Sequence, residues 1–408
     1  MACARFDGYL DRVRTRKGSR KHKPIIKGRH FPPILGKHKI ADANTLPARG
    51  DVRAIHGKDF FIMIMSDFEK IYNFESLYRA YRKARRGKQW KEAAAKFEIN
   101  MLEALHLLGI MLKEKTYKPA PYHTFFVYEP KKRVVMSNSY KDKVVQHALC
   151  DKVLEPLLSK AFIYDNYASQ PNKGTHFGLG RLDKFMREYY RHHGAEGWIL
   201  KGDVSKYFYS IRHDILKQQI RKYVHDPDVL WLVDMIIDST EGVGIPIGNQ
   251  SSQLFAILYL SGVDHFVKEQ LRIKYYGRYM DDFYLIHPDK EYLKYCLEQI
   301  TARMGELGLE LNNKTQIMPL SQGIDFLGFH TYLLPSGKVI RKVRRRSKGN
   351  ARRRLKKMKP LVDAGKIPAS APAQSHQSWR GHAAKGNCYH LIRDMDAYYN
   401  KLYSTKKE

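Results

Sequence analysis

Hydrophobic and polar positions follow two different periods along this chain. Apolar residues that recur every three or four positions predict helices, whereas short apolar or alternating runs predict strands. The predicted helices are two within 66–115, then 142–161, 175–193, 213–224, 251–271 and 290–307, a basic helix beginning at Arg341, and a last helix at 386–403. The predicted strands are a hairpin over 122–136, a buried strand at 198–200, two strands at 275–279 and 283–286, and a hairpin arm at 324–332. This order predicts an α+β core followed by a helical appendage, with a linker at 363–377.

Composition excludes several classes of protein. Of the 408 residues, 43% are hydrophobic and 12% aromatic, so the chain can bury a core and is not a disordered polycation. No apolar run approaches the roughly 20 residues that span a bilayer, and the first 50 residues have no apolar segment typical of a secretory signal. Four widely separated cysteines argue against a disulfide framework or a zinc ribbon. We therefore expect a cytoplasmic protein without a membrane partner.

The charge indicates a polyanionic partner. Lys and Arg outnumber Asp and Glu by 73 to 41, which gives a formal net charge of +32. Residues 1–50 contain thirteen cationic residues and three acidic ones, and residues 341–359 contain twelve cationic residues and no acidic one. A solvated tail and a solvated helix face would also show this pattern, but cations at such density repel one another unless phosphates neutralise them. The pattern favours nucleic-acid binding at both ends, without indicating sequence specificity.

Three aspartates occupy positions suited to metal chemistry. Asp203 follows a short hydrophobic strand, and Asp281 and Asp282 lie at the tip of a predicted hairpin. Strand ends and hairpin tips can converge, and Mg²⁺ prefers carboxylate and phosphate oxygens. An adjacent Asp pair is more often only a turn or a helix start. The apolar strands on both sides make that interpretation less favourable here, because charges enclosed by aromatic and aliphatic side chains need a partner.

The same residues resemble the motifs of reverse transcriptases. The segment 279–282, Tyr-Met-Asp-Asp, is similar to the YxDD motif of that family, and Asp203 with Phe208 five residues later is similar to its first aspartate motif. Further similar segments are the loop 244–249 followed by Ser252 and Gln253, Lys314 within 311–315, the turn 326–329, the hairpin cations Lys131 and Arg133, and the helix 142–148. They follow the family's order from about Tyr72 to Tyr332, and the ordered set is much more specific than any one motif.

The resemblance implies a right-hand polymerase fold and an enzyme that makes DNA on an RNA template. The implied domains are a basic N-terminal arm at 1–65, fingers with part of the palm at 66–195, a palm at 196–332, and a basic helical thumb with the C-terminal segment at 333–408. We expect neither an RNase H domain nor a zinc-dependent endonuclease, because few carboxylates follow Phe329 and Cys388 has no paired cysteine.

The resemblance also implies roles for individual residues. Asp203, Asp281 and Asp282 would be catalytic, and the metal-binding set would be Asp203, Val204, Asp281 and Asp282, holding two Mg²⁺ ions or Mn²⁺ in their place. Nucleotide binding would fall to Lys131, Arg133, Phe208, Gly248, Gln253 and Lys314. The primer grip would be Phe326, Leu327 and Gly328. Nucleic acid would be held by Arg344, Arg345, Arg346, Arg352, Arg353, Lys356 and Lys357.

Some of these roles have simpler alternatives. Phe208 would exclude the ribose 2′-hydroxyl in a reverse transcriptase, and the alternative is an aromatic residue of the core. Lys131 and Arg133 could form an exposed, solvated hairpin tip. Gln253 could be an ordinary polar residue near a helix start.

One departure from the family pattern narrows the subgroup. Retroviral and group II intron enzymes usually carry Pro-Gln-Gly where this chain has Pro246, Ile247 and Gly248, and an isoleucine cannot make the amide contact of a glutamine. This version resembles enzymes of diversity-generating retroelements and of bacterial anti-phage defence. The implied partners are a structured noncoding RNA template, dNTPs and the DNA product, with an accessory protein or a second copy of the chain as further candidates.

The biological role has several alternatives. Anti-phage defence is the first expectation, and error-prone copying in a diversity-generating retroelement is the second. A maturase-like RNA-binding protein that does not require catalysis belongs to a different class. Untemplated or protein-primed DNA synthesis is a further alternative among polymerases.

Overall fold

A computed structural model describes residues 65–128 and 133–403 of the chain. The predicted basic arm, apart from Met65, and the predicted nucleotide ligand Lys131 lie outside these residues. Within them, helices surround three antiparallel sheets.

The helices are numbered here in chain order. They are α1 Glu69–Tyr72, α2 Phe74–Arg85, α3 Glu92–Ile99, α4 Met101–Lys113, α5 Tyr140–Leu149, α6 Glu155–Leu158, α7 Thr175–His193, α8 Tyr207–Ser210, α9 His213–Arg221, α10 Pro227–Ile237, α11 Gln250–Tyr259, α12 Ser261–His265, α13 Lys290–Glu306, α14 Arg345–Asp363, α15 Ser370–Ala383 and α16 Tyr389–Tyr403. Short π-helical turns follow α5 at Cys150–Leu154 and α12 at Phe266–Gln270, and 3₁₀ turns lie at Ser159–Ala161 and Leu320–Gln322.

Nine strands form the three sheets of the described residues. They are β1 His123–Val127, β2 Arg133–Ser137, β3 Trp198–Asp203, β4 Tyr275–Tyr279, β5 Asp282–His287, β6 Gln316–Pro319, β7 Ile324–Phe326, β8 Phe329–Leu333 and β9 Val339–Val343. The central sheet has the order β4-β5-β3-β6, the hairpin β1-β2 stands by itself, and the third sheet has the order β7-β8-β9. All of these strand pairs are antiparallel, so neighbouring strands run in opposite directions.

Long periodic helices and local hairpins agree with the sequence predictions. The helix at 175–193 is confirmed with those bounds, and hairpins form near 122–136, at 275–287 and at 324–333. The region 66–115 contains four helices rather than two. Asn73 caps α2 by accepting a hydrogen bond from the Ser76 amide at 2.9 Å, and Asn100 separates α3 from α4.

The predictions near the C-terminus are partly wrong. The basic helix begins at Arg345 instead of Arg341, because residues 339–343 pair with β8 as strand β9. The predicted linker at 363–377 overlaps helix α15. Its proline-rich start is compatible with a helix, since Pro372 lies in the first turn, where its missing amide hydrogen costs little. Helix α10 is not predicted by the pattern, although Asp226 caps it and Pro227 occupies its first position.

The hydrophobic core lies on both faces of the central sheet. Strand residues such as Ile199, Leu200 and Leu285 are fully buried, as are Leu182 of α7 and Ile300 of α13. Cys150, Cys296 and Cys388 are buried free thiols. None of the helices in the described ranges is both long and apolar enough to cross a membrane.

A buried ion pair joins the central sheet to the helices behind it. The guanidinium of Arg278 on β4 donates to Asp264 on α12 through Nε at 2.7 Å and through a terminal nitrogen at 2.6 Å. Both side chains are almost completely inaccessible to water. Arg278 also donates to the carbonyl oxygens of Ile257 at 3.0 Å and Met280 at 2.8 Å, and the Tyr276 hydroxyl donates to Asp264 at 2.6 Å. The charges are therefore paired and hydrogen-bonded in the manner that burial requires.

Replacing Arg278 by methionine should lower the free energy of unfolding by about 3–5 kcal/mol, because Asp264 would remain buried without its partner. Urea denaturation followed by circular dichroism measures this loss. The matched control is Arg221→Met, which breaks the more exposed pair with Asp234 and should cost no more than about 1 kcal/mol. Equal effects of the two substitutions would contradict the structural importance of the buried pair.

Candidate active site

The turn between β4 and β5 carries two of the predicted catalytic aspartates. Tyr279 pairs with Asp282, so Met280 and Asp281 form the two-residue connection. Met280 has a φ of 56°, in the left-handed region that residues other than glycine rarely adopt. Its carbonyl accepts the hydrogen bond from buried Arg278. The strained turn is thus supported from inside the core, which fixes the position of Asp281.

The third aspartate meets this turn through strand register. Asp203 is the last residue of β3 and pairs with Asp282 of β5. One residue further on, the Val204 amide donates to the Asp281 carbonyl oxygen at 3.1 Å. The predicted convergence of the three aspartates on the end of the central sheet is therefore confirmed as a juxtaposition of their backbones.

A lysine that the motif comparison did not identify lies among these aspartates. Lys201 on β3 forms an ion pair with Asp282, and its ammonium group lies 5.6 Å from the centre of the Phe326 ring. Burial lowers the pKa of Lys201 to about 8, while the charges of Asp203 and Asp281 oppose this shift. Alternation along a strand places residues 201 and 203 on one face, so this spacing is the sequence signal that could have identified it.

Asn312 supports Asp203 from a neighbouring turn. The backbone amide of Asn312 donates to the Asp203 carbonyl oxygen at 2.7 Å, and its side-chain nitrogen lies 3.4 Å from an Asp203 carboxylate oxygen. Lys314 follows two residues later, with its backbone amide bonded to the Asn312 side chain at 3.1 Å and its side chain exposed. The structure therefore places the predicted nucleotide ligand Lys314 on a turn that contacts Asp203.

The loop 244–249 connects the hairpin β1-β2 to helix α8, which follows strand β3. The Met136 amide donates to the Ile247 carbonyl oxygen at 3.2 Å, and the Ile245 amide donates to the Phe208 carbonyl oxygen at 2.8 Å. Gly248 has a φ of 133°, and a β-carbon there would lie 2.6 Å from the Met136 carbonyl oxygen. The backbones approach so closely that only glycine fits.

The remaining predicted nucleotide ligands have different surroundings. Phe208 is half-buried against the core and contacts Tyr207 edge to face, which is compatible with both of its predicted roles. Gln253 accepts a hydrogen bond from the Ser169 hydroxyl at 2.7 Å, so its side chain has a definite structural contact. Arg133 begins strand β2 opposite Val127.

The turn at 326–329 is a two-residue hairpin connection. Phe326 pairs with Phe329, and Leu327 and Gly328 both have positive φ, at 48° and 92°. This combination is typical of the tight turns whose twist suits an antiparallel hairpin. Since Lys201 contacts the Phe326 ring, the predicted primer grip and the aspartates are parts of one contiguous site.

The donor set fits a divalent ion that substrate oxygens would complete. Among residues 65–128 and 133–403, no three His, Cys, Asp or Glu side chains form a ready-made metal cage. Mg²⁺ commonly binds through one or two carboxylates together with substrate phosphates, and does not need such a cage. Asp203 and Asp281, whose backbones lie side by side at the end of the sheet, can supply those carboxylates.

Of the cations predicted to bind nucleic acid, some are exposed and others pack against neighbouring side chains. Exposed side chains on helix α14 are Arg345, Arg346, Arg353, Lys356 and Lys357. Arg344 lies 3.7 Å from Asp325, and Arg352 lies over the Tyr398 ring, so both also contribute to packing. The first turn of α14 contains arginines and no acidic residue, an unfavourable charge for a helix N-terminus that bound phosphate would relieve.

Comparison with known proteins identifies the family. The family model described as reverse transcriptase (RNA-dependent DNA polymerase) matches residues 120–331, just over half of the chain. The protein YkfC of Escherichia coli (strain K12) is 24% identical, over 55% of this chain and 70% of that protein.

Two solved telomerase structures are also similar to this chain. The telomerase of Candida tropicalis is 14% identical with a TM-score of 0.43, over 56% of this chain and 58% of that chain. The telomerase of Candida albicans, in complex with a fragment of telomeric RNA, is 12% identical with a TM-score of 0.45, over 72% and 62%. Each match spans less than two thirds of the telomerase chain.

The chain belongs to the reverse transcriptase family, the class of nucleotidyltransferases that are RNA-directed DNA polymerases. Its fold is the right-hand polymerase fold of that family, with mixed helices and antiparallel sheets. Reverse transcriptases use divalent metal ions, in agreement with the oxygen donors at the end of the central sheet.

Gly248→Ala should reduce the rate of nucleotide incorporation and lower the free energy of unfolding by about 1–3 kcal/mol, since the loop would have to move away from Met136. Primer-extension rates and urea denaturation measure the two effects. Gly180→Ala is the control, because Gly180 lies within α7 with open space around it and should stabilise the fold by about 0.5–1 kcal/mol. Unchanged incorporation by the Gly248 variant would contradict the importance of this close contact.

Proposed function

We propose that this protein copies a structured noncoding RNA into DNA, by divalent-metal-dependent nucleotidyl transfer from dNTPs. The observation that carries the proposal is the register that pairs Asp203 with Asp282 at the end of the central sheet, one residue from Asp281. Family membership supports the reaction class, and the oxygen-only donor set supports a hard ion such as Mg²⁺, with Mn²⁺ as a substitute.

The reaction joins a primer 3′-hydroxyl oxygen to the α-phosphorus of a dNTP and releases pyrophosphate. Asp203, Asp281 and the Val204 carbonyl would hold two divalent ions, and Asp282 would support them. Bound ions lower the pKa of the attacking hydroxyl and stabilise charge on the leaving group. The protein contributes mainly by positioning groups and by stabilising phosphoryl charge.

Other residues would act on the nucleotide and the primer. Lys131 and Arg133 would neutralise the triphosphate from the hairpin β1-β2, and Lys314 would screen the departing pyrophosphate. Phe208 would discriminate against a ribose 2′-hydroxyl by bulk. Gly248 and Gln253 would shape the part of the site that holds the incoming nucleotide. The turn 326–328 would hold the end of the primer.

The proposed domains follow from these roles. Residues 1–65 would be a basic arm, 66–195 the fingers with part of the palm, 196–332 the palm, and 333–408 the thumb. Helix α14 would then follow the phosphate backbone of the duplex, since its exposed cations face solvent and have few acidic neighbours. Counterion release would make this binding strong at low salt and weak at high salt.

The template and biological role rest on the sequence of the loop 244–249. Ile247 is found where a glutamine is usual, as in reverse transcriptases of anti-phage defence and of diversity-generating retroelements. We propose defence as the role, with a noncoding RNA encoded near the protein as template. Error-prone synthesis in a diversity-generating retroelement is the alternative.

The double variant Asp281→Ala, Asp282→Ala should abolish DNA synthesis, because one of the two carboxylates that would hold the metal ions and the carboxylate that would support them would both be missing. Extension of RNA-templated primers with dNTPs and Mg²⁺ measures the effect, and chelation of the metal with EDTA should have the same result. Asp363→Ala, which removes an exposed pair with Lys359 on α14, is the matched control and should retain activity.

Sequencing the nucleic acids bound to and made by the same preparations separates the alternatives. A defined structured RNA, together with complementary DNA absent from the double variant, would support the proposal. RNA of no defined sequence would contradict a dedicated template, and DNA unrelated to any bound RNA would indicate untemplated synthesis. Full biological activity of the double variant would instead support a maturase-like role.

Neutralising the exposed cations of α14 should weaken nucleic-acid binding and its salt dependence. The variant changes Arg345, Arg346, Arg353, Lys356 and Lys357 to glutamine. The slope of log affinity against log salt should become shallower by up to about 4.5, at about 0.9 for each lost phosphate contact. Fluorescence anisotropy with an RNA–DNA duplex measures it.

The control for this variant carries the same change of charge elsewhere. Its glutamine substitutions replace the exposed residues Lys113, Arg191, Lys222, Arg272 and Lys274. If both variants lose the same salt dependence, binding depends on net charge and not on the surface of α14.

A further inference from the structure

We propose that His213 is a positioning residue that holds the loop 244–249 against helix α8 and thereby fixes Phe208, the residue proposed to discriminate against the ribose 2′-hydroxyl. The inference rests on the proposed function, because it assigns the support of nucleotide selection to a residue outside the segments that resemble the family motifs. The contact that identifies His213 is a hydrogen bond from its imidazole Nε2 to the Gly244 carbonyl oxygen, at 2.8 Å.

The backbone of helix α8 is hydrogen-bonded to the start of this loop. The Ile245 amide donates to the Phe208 carbonyl oxygen at 2.8 Å, and the Gly244 amide donates to the Ile211 carbonyl oxygen at 2.7 Å. Phe208 therefore has the loop as a direct backbone partner. A displacement of the loop would break this hydrogen bond and leave the Phe208 ring less well fixed.

Two side chains hold the carbonyl group of Gly244. Its oxygen accepts hydrogen bonds from His213 and from the Thr240 hydroxyl, at 2.8 Å in each case. Gly244 has a φ of 88°, and a β-carbon there would lie 3.2 Å from the Tyr209 carbonyl oxygen. Glycine adopts positive and negative φ about equally readily, so the backbone alone does not fix this conformation. The two donors select it.

The imidazole ring itself has a fixed setting. His213 is only 5% exposed, and its Nε2 must be the donor to Gly244 because a carbonyl oxygen can only accept. On the other side of the ring, Nδ1 lies 3.6 Å from a carboxylate oxygen of Asp238. The Asp238 carboxylate accepts hydrogen bonds from the Lys217 ammonium group at 2.6 and 2.7 Å. The ring lies between a carbonyl and an anchored carboxylate, so its donor is directed at the loop.

The position of this contact determines which step of the reaction it should affect. The hydrogen bond of His213 ends on the loop, whereas strand register positions the aspartates proposed to hold the metal ions. Loss of the donor should therefore change which nucleotide is accepted more than how fast a bound dNTP reacts.

The test measures incorporation of a dNTP and of the matching rNTP by the full-length protein. His213→Leu keeps a similar side-chain volume but removes the donor. It should raise the KM for the dNTP about three- to tenfold, the range that corresponds to one lost hydrogen bond, and change kcat by less than about twofold. The preference for dNTP over rNTP in kcat/KM should fall by a similar factor, because Phe208 would be less well fixed. Unchanged KM and preference would overturn the proposal.

His213→Gln tests the hydrogen bond itself. A glutamine amide nitrogen can take the place of the imidazole Nε2 and donate to the Gly244 carbonyl, so this variant should keep KM and preference within about twofold of the wild type. If His213 only filled space, the leucine variant would keep both quantities and the glutamine variant would lose them. That order would overturn the proposal.

Thr240→Val removes the second donor to the same carbonyl with little change of shape. It should have an effect similar to that of His213→Leu, since either variant leaves Gly244 with one donor. If His213→Leu fails to fold, Thr240→Val and His213→Gln carry the test, and wild-type nucleotide preference in Thr240→Val would then overturn the proposal.

The matched control is His265→Leu. His265 on α12 also donates from its Nε2 to a backbone carbonyl, that of Ala161 at 3.1 Å. Its replacement removes a hydrogen bond of the same kind outside the loop 244–249 and should change neither KM nor nucleotide preference.

Hydrogen–deuterium exchange of peptides that cover 240–249 gives a readout independent of activity. Exchange should be faster in His213→Leu than in the wild type and close to wild type in His213→Gln. A wild type that makes no DNA, or does not prefer dNTPs, but shows this order of exchange rates would contradict the proposed function and support the contact of His213 with the loop. An active wild type with unchanged exchange and preference in His213→Leu would overturn only the role of His213.

Discussion

The buried pair between Arg278 and Asp264 is the interaction on which the catalytic end of the molecule depends. It joins a strand of the central sheet to the helix behind it, and a further hydrogen bond of Arg278 reaches the carbonyl of Met280 in the catalytic turn. A left-handed residue in that turn is costly by itself, and a fixed donor beneath it makes the conformation stable. The desolvation free energy of the two buried charges is offset by their bidentate contact and by the hydrogen bond that the Tyr276 hydroxyl donates to Asp264.

Strand register then brings the aspartates together. Asp203 and Asp282 are 79 positions apart in sequence, yet they pair directly, because β3 and β5 are neighbours in the central sheet. Backbone contacts of the loop 244–249 connect helix α8, which follows β3, to the hairpin β1-β2. The residues proposed to act in catalysis and nucleotide binding are thus positioned by hydrogen-bonded backbone.

Charges are segregated according to what surrounds them. The aspartates at the sheet end are few, partly enclosed and accompanied by one half-buried lysine, so each charge there has a specific effect on its neighbours. The cations of α14 are numerous and exposed, so they act collectively and are screened by salt. The first arrangement suits the binding of an ion at one point, and the second suits a long phosphate backbone.

Local features of the chain were determined by the sequence alone. The strand–Asp203 segment, the hairpin around Asp281 and Asp282, and helix α7 depend on periodicity and turn chemistry within short windows, and the ordered motifs indicated the family. Only the tertiary structure showed that Lys201 meets Asp282, that Arg278 meets Asp264, that 339–343 is a strand and that 370–383 is a helix. Those results depend on which distant segments share a buried surface. A single charged residue, or a proline-rich segment, has the same local pattern whether it faces water or a partner brought near by folding.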